Sequence, residues 1–454
     1  MNTINRRSLL KGLVLLALPV STKAFSNQNH KTLPWHNWSG ALACQPAGRI
    51  SPASVAELSE YLRSSTGSIR PVGSGHSFSP RVPTDGHLIV IDQLNGLLGF
   101  DDHTHHASFG AGTLLSEIGP ILRNKGRALN NMPDIDRQTI AGAISTATHG
   151  TGLDLGCLSD DIVALQLVTA NGDILDLNAG NNPDLFNAAR VSLGALGVVT
   201  AVTFQTRKHC RLKAVNRVIP MRDALDGFVA AASQHRHYEL FPLVYGDYAM
   251  ELIIDETDEP INNPLPTPEE EAEFGQMLSI LLSVPVSLRK AAINTIAKTL
   301  PTTQAVDDSH NILSNVRTDR FNEMEYSIDL DAGIACLDEV LKTIERNRID
   351  VAFPLEVRSV KGDDTWLGMS SGETAHITIS IHRSAGYDYR PYFDAVEPIF
   401  KKYGGRPHWG KVHSLDAAAL KKLYPRFDDF AAVRGELDPK GQLLNNHLAK
   451  ILIA

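Results

Sequence analysis

Val55, Leu58 and Leu62 recur at helical spacing behind Ser51-Pro52, a cap residue with proline in the first turn, and predict a helix. His87–Asp92 (HLIVID) is β-branched and reads as a strand, and Leu114, Leu115, Ile118, Ile121 and Leu122 mark a second amphipathic helix. In DIVALQLVTANGDILDL two apolar strands flank Asn171-Gly172, a dipeptide that favours a type I′ hairpin turn. Mixed short elements continue to about Thr206, and another strand-and-helix region runs from Glu325 to about Gly404. This is an α+β pattern, not a regular βαβ alternation. Between the two regions, DETDEPINNPLPTPEEEAEF is acidic and proline-rich and predicts an exposed loop or linker. The apolar run after it, MLSILLSVPVSL, is short and broken by Pro285, so it predicts a buried or surface-seeking helix, not a span.

With 454 residues, 43% of them hydrophobic, the chain can bury a large core in two or three lobes. A net charge of -8 argues against nucleic acid or an anionic membrane as main partner. Cys44, Cys157, Cys210 and Cys336 show no CxxC spacing, which excludes a zinc ribbon and leaves one or two disulfides open if the protein is exported. Export is what the start suggests: Arg6-Arg7 precede the apolar run Leu13–Leu18, and small residues follow near Ala24. NRRSLLKG resembles a twin-arginine signal over residues 1–24, implying a periplasmic or secreted protein, with ordinary secretion as the alternative.

Candidate chemistry centres on RPVGSGHSFSP, Arg70 to Pro80. Gly73 and Gly75 permit close backbone approach, and the free N–H groups of such a loop suit a phosphate, which does not itself need His76. The loop lacks the third glycine of a dinucleotide fingerprint, and no GxxxxGK[ST] occurs. A second small-residue stretch, MPDIDRQTIAGAISTATHGTG (Met132–Gly152), could lay backbone amides along a long ligand. GMSSG (Gly368–Gly372) matches GxSxG, yet it sits where a hairpin loop is expected; a lactone hydrolase acting through Ser370 would need it. HTHH (His103, His105, His106) reads as a solvated turn, and a non-catalytic sugar- or metal-binding protein is a further alternative. HWGKVH (His408–His413) is costly composition for a mere surface loop.

These loops, with GALGVVTAVTFQ, EVRSVKGDDTWL, RPHWGKVH and YPRFDDFAAVRGELDPKGQLLNNHL in that order, resemble the vanillyl-alcohol-oxidase-type (PCMH-type) flavoproteins. Within them the chain is most similar to the sugar-1,4-lactone and alditol oxidases. The resemblance implies a PCMH-type FAD-binding domain of two subdomains over residues 35–208 and a cap, or substrate, domain with an antiparallel sheet over 209–404. A C-terminal segment, 405–454, would return to the flavin domain. It implies FAD, joined covalently through His76, with Pro71, Val72, Gly73, Ser74, Gly75, His76 and Ser77 around the pyrophosphate. Asp134, Thr139, Gly142, Thr146, Ala147, Thr148 and His149 would lie along the cofactor, and Val198 or Val199 would meet the adenine; no metal is called for. Glu356 and Arg358, two apart on one strand face, would orient the substrate hydroxyl and hold its oxygen as charge grows. Lys411 would sit by the flavin N1–C2=O edge, and His376, or His382 in its place, would serve as an active-site histidine. The partners implied are a polyol or sugar lactone and an electron acceptor. Pro133-Asp134 stands where the family often has glycine or alanine before a serine. Relatives with glycine or proline there react with oxygen, which implies an oxidase, with a periplasmic dehydrogenase as the alternative.

Overall fold

Gly48–Ile50, His87–Val90 and Ile69–Val72 form a three-stranded parallel sheet, and the glycine loop leaves its third strand. The computed structural model describes residues 33–262, 268–315, 317 and 319–453, so the leader expected over residues 1–24 lies outside the described residues. The first helix, Val55–Ser64, buries Leu58 and Leu62 as their spacing predicts. Its cap is Ser54, whose Oγ accepts from the Glu57 N–H, and Ser51 instead bonds Asp92 across to the neighbouring strand end. Local spacing located the helix; the cap was chosen by whichever serine was free.

A second sheet is antiparallel, in the order Ile174–Asn178, Ile162–Val168, Val198–Gln205, His106–Gly110, Leu97–Phe100. Its first hairpin forms around Asn171-Gly172, but not through the expected type I′ turn. Only Gly172 has positive φ, at +81°, and the Gly172 N–H returns to the Thr169 carbonyl at 2.9 Å. That is a type I turn closed by a glycine bulge. Ser59 explains the need for glycine, since a Cβ at residue 172 would stand 2.4 Å from its carbonyl oxygen. His103 and His105 lie in the exposed turn before His106–Gly110.

The third sheet has eight antiparallel strands, in the order Thr303–Asp308, Arg211–Pro220, Tyr248–Thr257, His237–Pro242, Glu356–Val360, His376–Ser384, Phe321–Asp329, Arg406–Pro407. One face is apolar: Leu240, Val357, Ile377, Ile379, Ile381, Met324 and Ile328 join a core with helices Met221–Gln234, Leu330–Arg346 and Arg390–Lys402. The other face presents Glu239, Glu356, Arg358, Ser380, His382, Glu323 and Glu325, all but Glu239 buried. A buried row of charge is costly unless it pairs or meets a ligand. It marks the site.

The acidic stretch begins inside the strand Tyr248–Thr257, not as a loop, because Asp255 and Glu256 find His235 and Arg207; residues 263–267 lie outside the described residues. The apolar run after it becomes two helices, Pro268–Ser283 and Val286–Ala297, parted at Pro285. Leu281 and Ile293 are buried, whereas Ile280 and Leu288 are exposed. Among the described residues no helix is long and apolar enough to cross a membrane. All four cysteines are free thiols. Past Lys402 the chain turns back to the first sheet: Ile69 N–H donates to the Gln442 carbonyl at 2.8 Å, Phe78 N–H to Gly410 at 2.7 Å.

Candidate active site

The glycine loop, the Met132–Gly152 stretch, the polar sheet face and the returning C-terminal segment enclose one cavity of about 760 Å³. Pro71 to Ser77, Asp134, Thr139, Gly142, Thr146, Thr148, His149, Val198, Val199, Glu356, Arg358 and Lys411 all line it. Its shape follows from small residues. A Cβ at Gly73 would lie 2.2 Å from Thr139 Oγ1, and Gly75 has φ of +73°. Thr139 in turn caps the helix Ile140–Ile144 by accepting from Gly142 N–H at 3.2 Å. The N–H groups of Ser74, Gly75, His76 and Ser77 have no protein acceptor among the described residues, so the loop is a backbone cradle that suits an anion. His76 stacks on Trp38 with ring centroids 5.3 Å apart, and burial, helped by Lys411 and Arg137, pushes its pKa down to about 4. Its imidazole is neutral at physiological pH and free to act as a nucleophile.

Two expected contacts move. Ala147 does not line the cavity: it is a fully buried turn residue with φ of +56°, closing the end of the preceding helix. Its N–H reaches the Ile144 carbonyl and the Thr148 N–H the Ala143 carbonyl, a Schellman arrangement that delivers Thr148 and His149 to the wall. His376 does not line it either. It begins its strand, its Nδ1 lies 3.0 Å from the Thr374 carbonyl oxygen, and His382 is six residues, or about 20 Å, further along. His382 holds the cavity position, stacked on Phe353 at 4.8 Å, with a buried Nδ1 that has no hydrogen-bond partner among the described residues and Nε2 3.6 Å from Glu323 and 4.0 Å from Glu356. His382→Ala should therefore slow flavin reduction in rapid mixing by at least about tenfold, and His376→Ala should leave it within twofold. The reverse ranking would remove His382 from the site.

Three ion-paired groups cross the polar face. Arg358 pairs with Glu356 and, at 3.3 Å, with Glu239. Burial opposes its charge, yet Glu356, Glu239, Glu325 and Asp134 together hold it well above the usual guanidinium range. Burial raises Glu239 to about 8 despite Arg358. Lys411 pairs with Glu323, and Glu325 lies 2.6 Å from His149 Nε2. Burial disfavours the Glu323 charge, but Lys411 and His382 bring its pKa down to about 2. His149 Nδ1 lies 2.7 Å from the Gly150 carbonyl oxygen, so both ring nitrogens face oxygen atoms. Asp134 is held by Arg317 at 3.0 Å and Asn315 Nδ2 at 2.7 Å.

Glu239, Glu323, Glu325 and Arg317 were not singled out from sequence, and His408 only as the start of HWGKVH. Only the alternation in NEMEYSID hinted at the glutamate pair, and a solvent-facing strand looks the same. Ser370 is a different case. It is fully buried, donates to Asp363 at 3.1 Å, does not line the cavity and sits in a loop, so no nucleophile elbow forms.

The buried histidines carry a pH consequence. Burial lowers His76, His237 and His413 to about 4 and His408 and His447 to about 3. Unfolded, each titrates near 6.5, so the unfolded chain binds more protons between about pH 6.5 and 4. Glu239 and Asp161, raised to about 8 and about 6, act oppositely but are fewer. The melting temperature should fall steadily from pH 7 to pH 4.5 in calorimetry, and a flat profile would mean these rings are not neutral.

A phosphate-type cradle beside a buried charged sheet in this α+β architecture defines an FAD-binding oxidoreductase. Residues 46–178 match the FAD binding domain model, and residues 202–451 match that of D-arabinono-1,4-lactone oxidase. The chain belongs to the D-arabinono-1,4-lactone oxidase family. It is 36% identical to L-gulono-1,4-lactone dehydrogenase of Mycobacterium tuberculosis over 436 residues, 92% of this chain and 99% of that one. It is 31% identical to L-gulonolactone oxidase of Bos taurus, covering 93% and 99%, and 29% identical to alditol oxidase of a Streptomyces species, covering 92% and 98%. Cholesterol oxidase from B. sterolicum superposes with a TM-score of 0.77 at 17% identity, over 92% of this chain and 96% of that one, which is a likeness of fold alone.

Proposed function

We propose that the protein oxidises an alcohol carbon of a sugar-1,4-lactone or polyol. The observation that carries this is the Glu356–Arg358 pair on the cavity wall, with the Asp134–Arg317 pair and Asn315 on the same wall. Such a wall matches a ligand bearing a hydroxyl on nearly every carbon, and the relatives are named for lactones and alditols. Bound FAD supplies a hydride acceptor at N5. Arg358 occupies Glu356 Oε1, leaving Oε2 to accept the substrate hydroxyl and its proton, with His382 4.0 Å from that oxygen. Arg358 would hold the substrate oxygen, and Lys411 would supply a cation beside the bound flavin. His76, neutral and stacked on Trp38, would hold the flavin covalently.

Pro133 lines the cavity and supports oxygen as acceptor, with peroxide formed. A dehydrogenase passing electrons to another acceptor is the second reading, favoured by the name of the 36% identical relative. Export through the twin-arginine route, supported by Arg6-Arg7, would deliver the folded, flavin-loaded enzyme to the periplasm. The test is anaerobic mixing with a panel of aldonolactones and alditols. Bleaching of the flavin band by at least one, followed by peroxide on adding oxygen, is the expected result. No bleaching by any would overturn the substrate class, and bleaching without reoxidation in oxygen would select the dehydrogenase.

A further inference from the structure

We infer that Arg81, behind the glycine loop, is a charged ligand for the diphosphate of FAD; the inference rests on FAD occupying this cavity. Arg81 lines the cavity although its residue is only 6% exposed. Its Nε donates to Ser79 Oγ at 3.0 Å and its Nη2 to Ser77 Oγ, while Nη1 has no acceptor among the described residues. Ser79 Oγ is itself committed to the Trp409 carbonyl at 2.7 Å. Both serines fix the direction of the guanidinium, and neither can balance its charge.

Among the described residues no carboxylate lies within ion-pair distance of Arg81. The charged groups nearest it have the wrong sign or other business. Arg70 spends its donors on the carbonyls of Arg81, Gly194, Leu443 and Leu193, and Asp438 faces Arg70. His413 and His447 are held neutral, with Lys450 beyond them, and Glu397 faces His413. Burial lowers Arg81 to about 9, which still leaves it protonated at neutral pH. A desolvated cation without a counter-charge is strongly unfavourable, so the fold keeps this one only if an anion completes it. The second partner, Ser77, belongs to the loop whose Ser74–Ser77 N–H groups also lack acceptors. Backbone donors and guanidinium thus converge on one region. In FAD only the diphosphate is charged, so that is the part this region takes. Arg81 carries no signal in the sequence, because a lone arginine in SFSPRVPTD looks like a surface loop residue.

The test uses the full chain carrying His76→Ala, whose flavin has no tether, with Arg81→Met or Arg81→Gln added. Titration with FAD, followed by flavin fluorescence, should show at least about tenfold weaker binding with either substitution. The flavin-free chain should melt at the same or a higher temperature, because the substitution removes an uncompensated buried charge. FAD affinity within twofold overturns the inference. So does a fall in the melting temperature of the flavin-free chain as large as that of the loaded chain, or failure of both variants to fold, since each makes Arg81 a structural residue. A wild-type protein that takes up no FAD would instead overturn the flavin reading itself, whatever Arg81 does.

Discussion

Arg358→Ala is expected to slow flavin reduction by substrate roughly 10²–10³-fold in anaerobic stopped-flow. Among the described residues Arg358 is the one cation in ion-pair range of both Glu356 and Glu239, and Asp134 and Glu325 also act on it. Without it Glu356 and Glu239 are left in a buried site with no cation between them, which disfavours charge on either carboxyl. The variant would then lack both the proposed base and the group proposed to hold the substrate oxygen. Arg358→Lys should restore only part of the rate, because an ammonium cannot span both carboxylates as the planar fork does. Glu356→Gln should also lose at least about tenfold, as should Lys411→Ala, which strips Glu323 of its partner. Reduction near the wild-type rate, with only the melting temperature lowered, would make the Glu356–Arg358 pair structural and move the chemistry elsewhere on the wall.

His76→Ala should release all flavin into the supernatant on acid precipitation, whereas the wild-type pellet stays yellow. Mass spectrometry of the wild type should place the flavin on the peptide that holds His76. The imidazole is poised for this: it faces the cavity, burial keeps it unprotonated, and Trp38 fixes its plane. A protonated ring has no lone pair to form the bond. The variant should still bind FAD, because the loop N–H groups, Gly73 and Thr139 are untouched. Flavin freed quantitatively from the wild type would remove the tether and leave the cofactor.

Most local elements and the two glycine-rich loops were legible in the sequence. Leu58 and Leu62 face the core because helical period alone decides it, and Gly73 and Gly75 mark close approach because no other residue permits it. It also placed Glu356 and Arg358 on one face, since strand alternation is local geometry. What faced that pair was decided only in the folded chain. Glu239, Glu323, Glu325 and His382 come from three other strands, and each sits in a stretch where alternating polar residues would equally suit water. The choice between His376 and His382 was of the same kind. Both share a face of one strand, and only the packing of the sheet against the glycine loop put His382 in the cavity and left His376 outside it. Arg81 could not be read at all until the fold buried it without a carboxylate. Period and backbone permission act within a few residues, so the sequence shows them; burial and counter-charge depend on partners hundreds of residues away, so only the tertiary structure decides them.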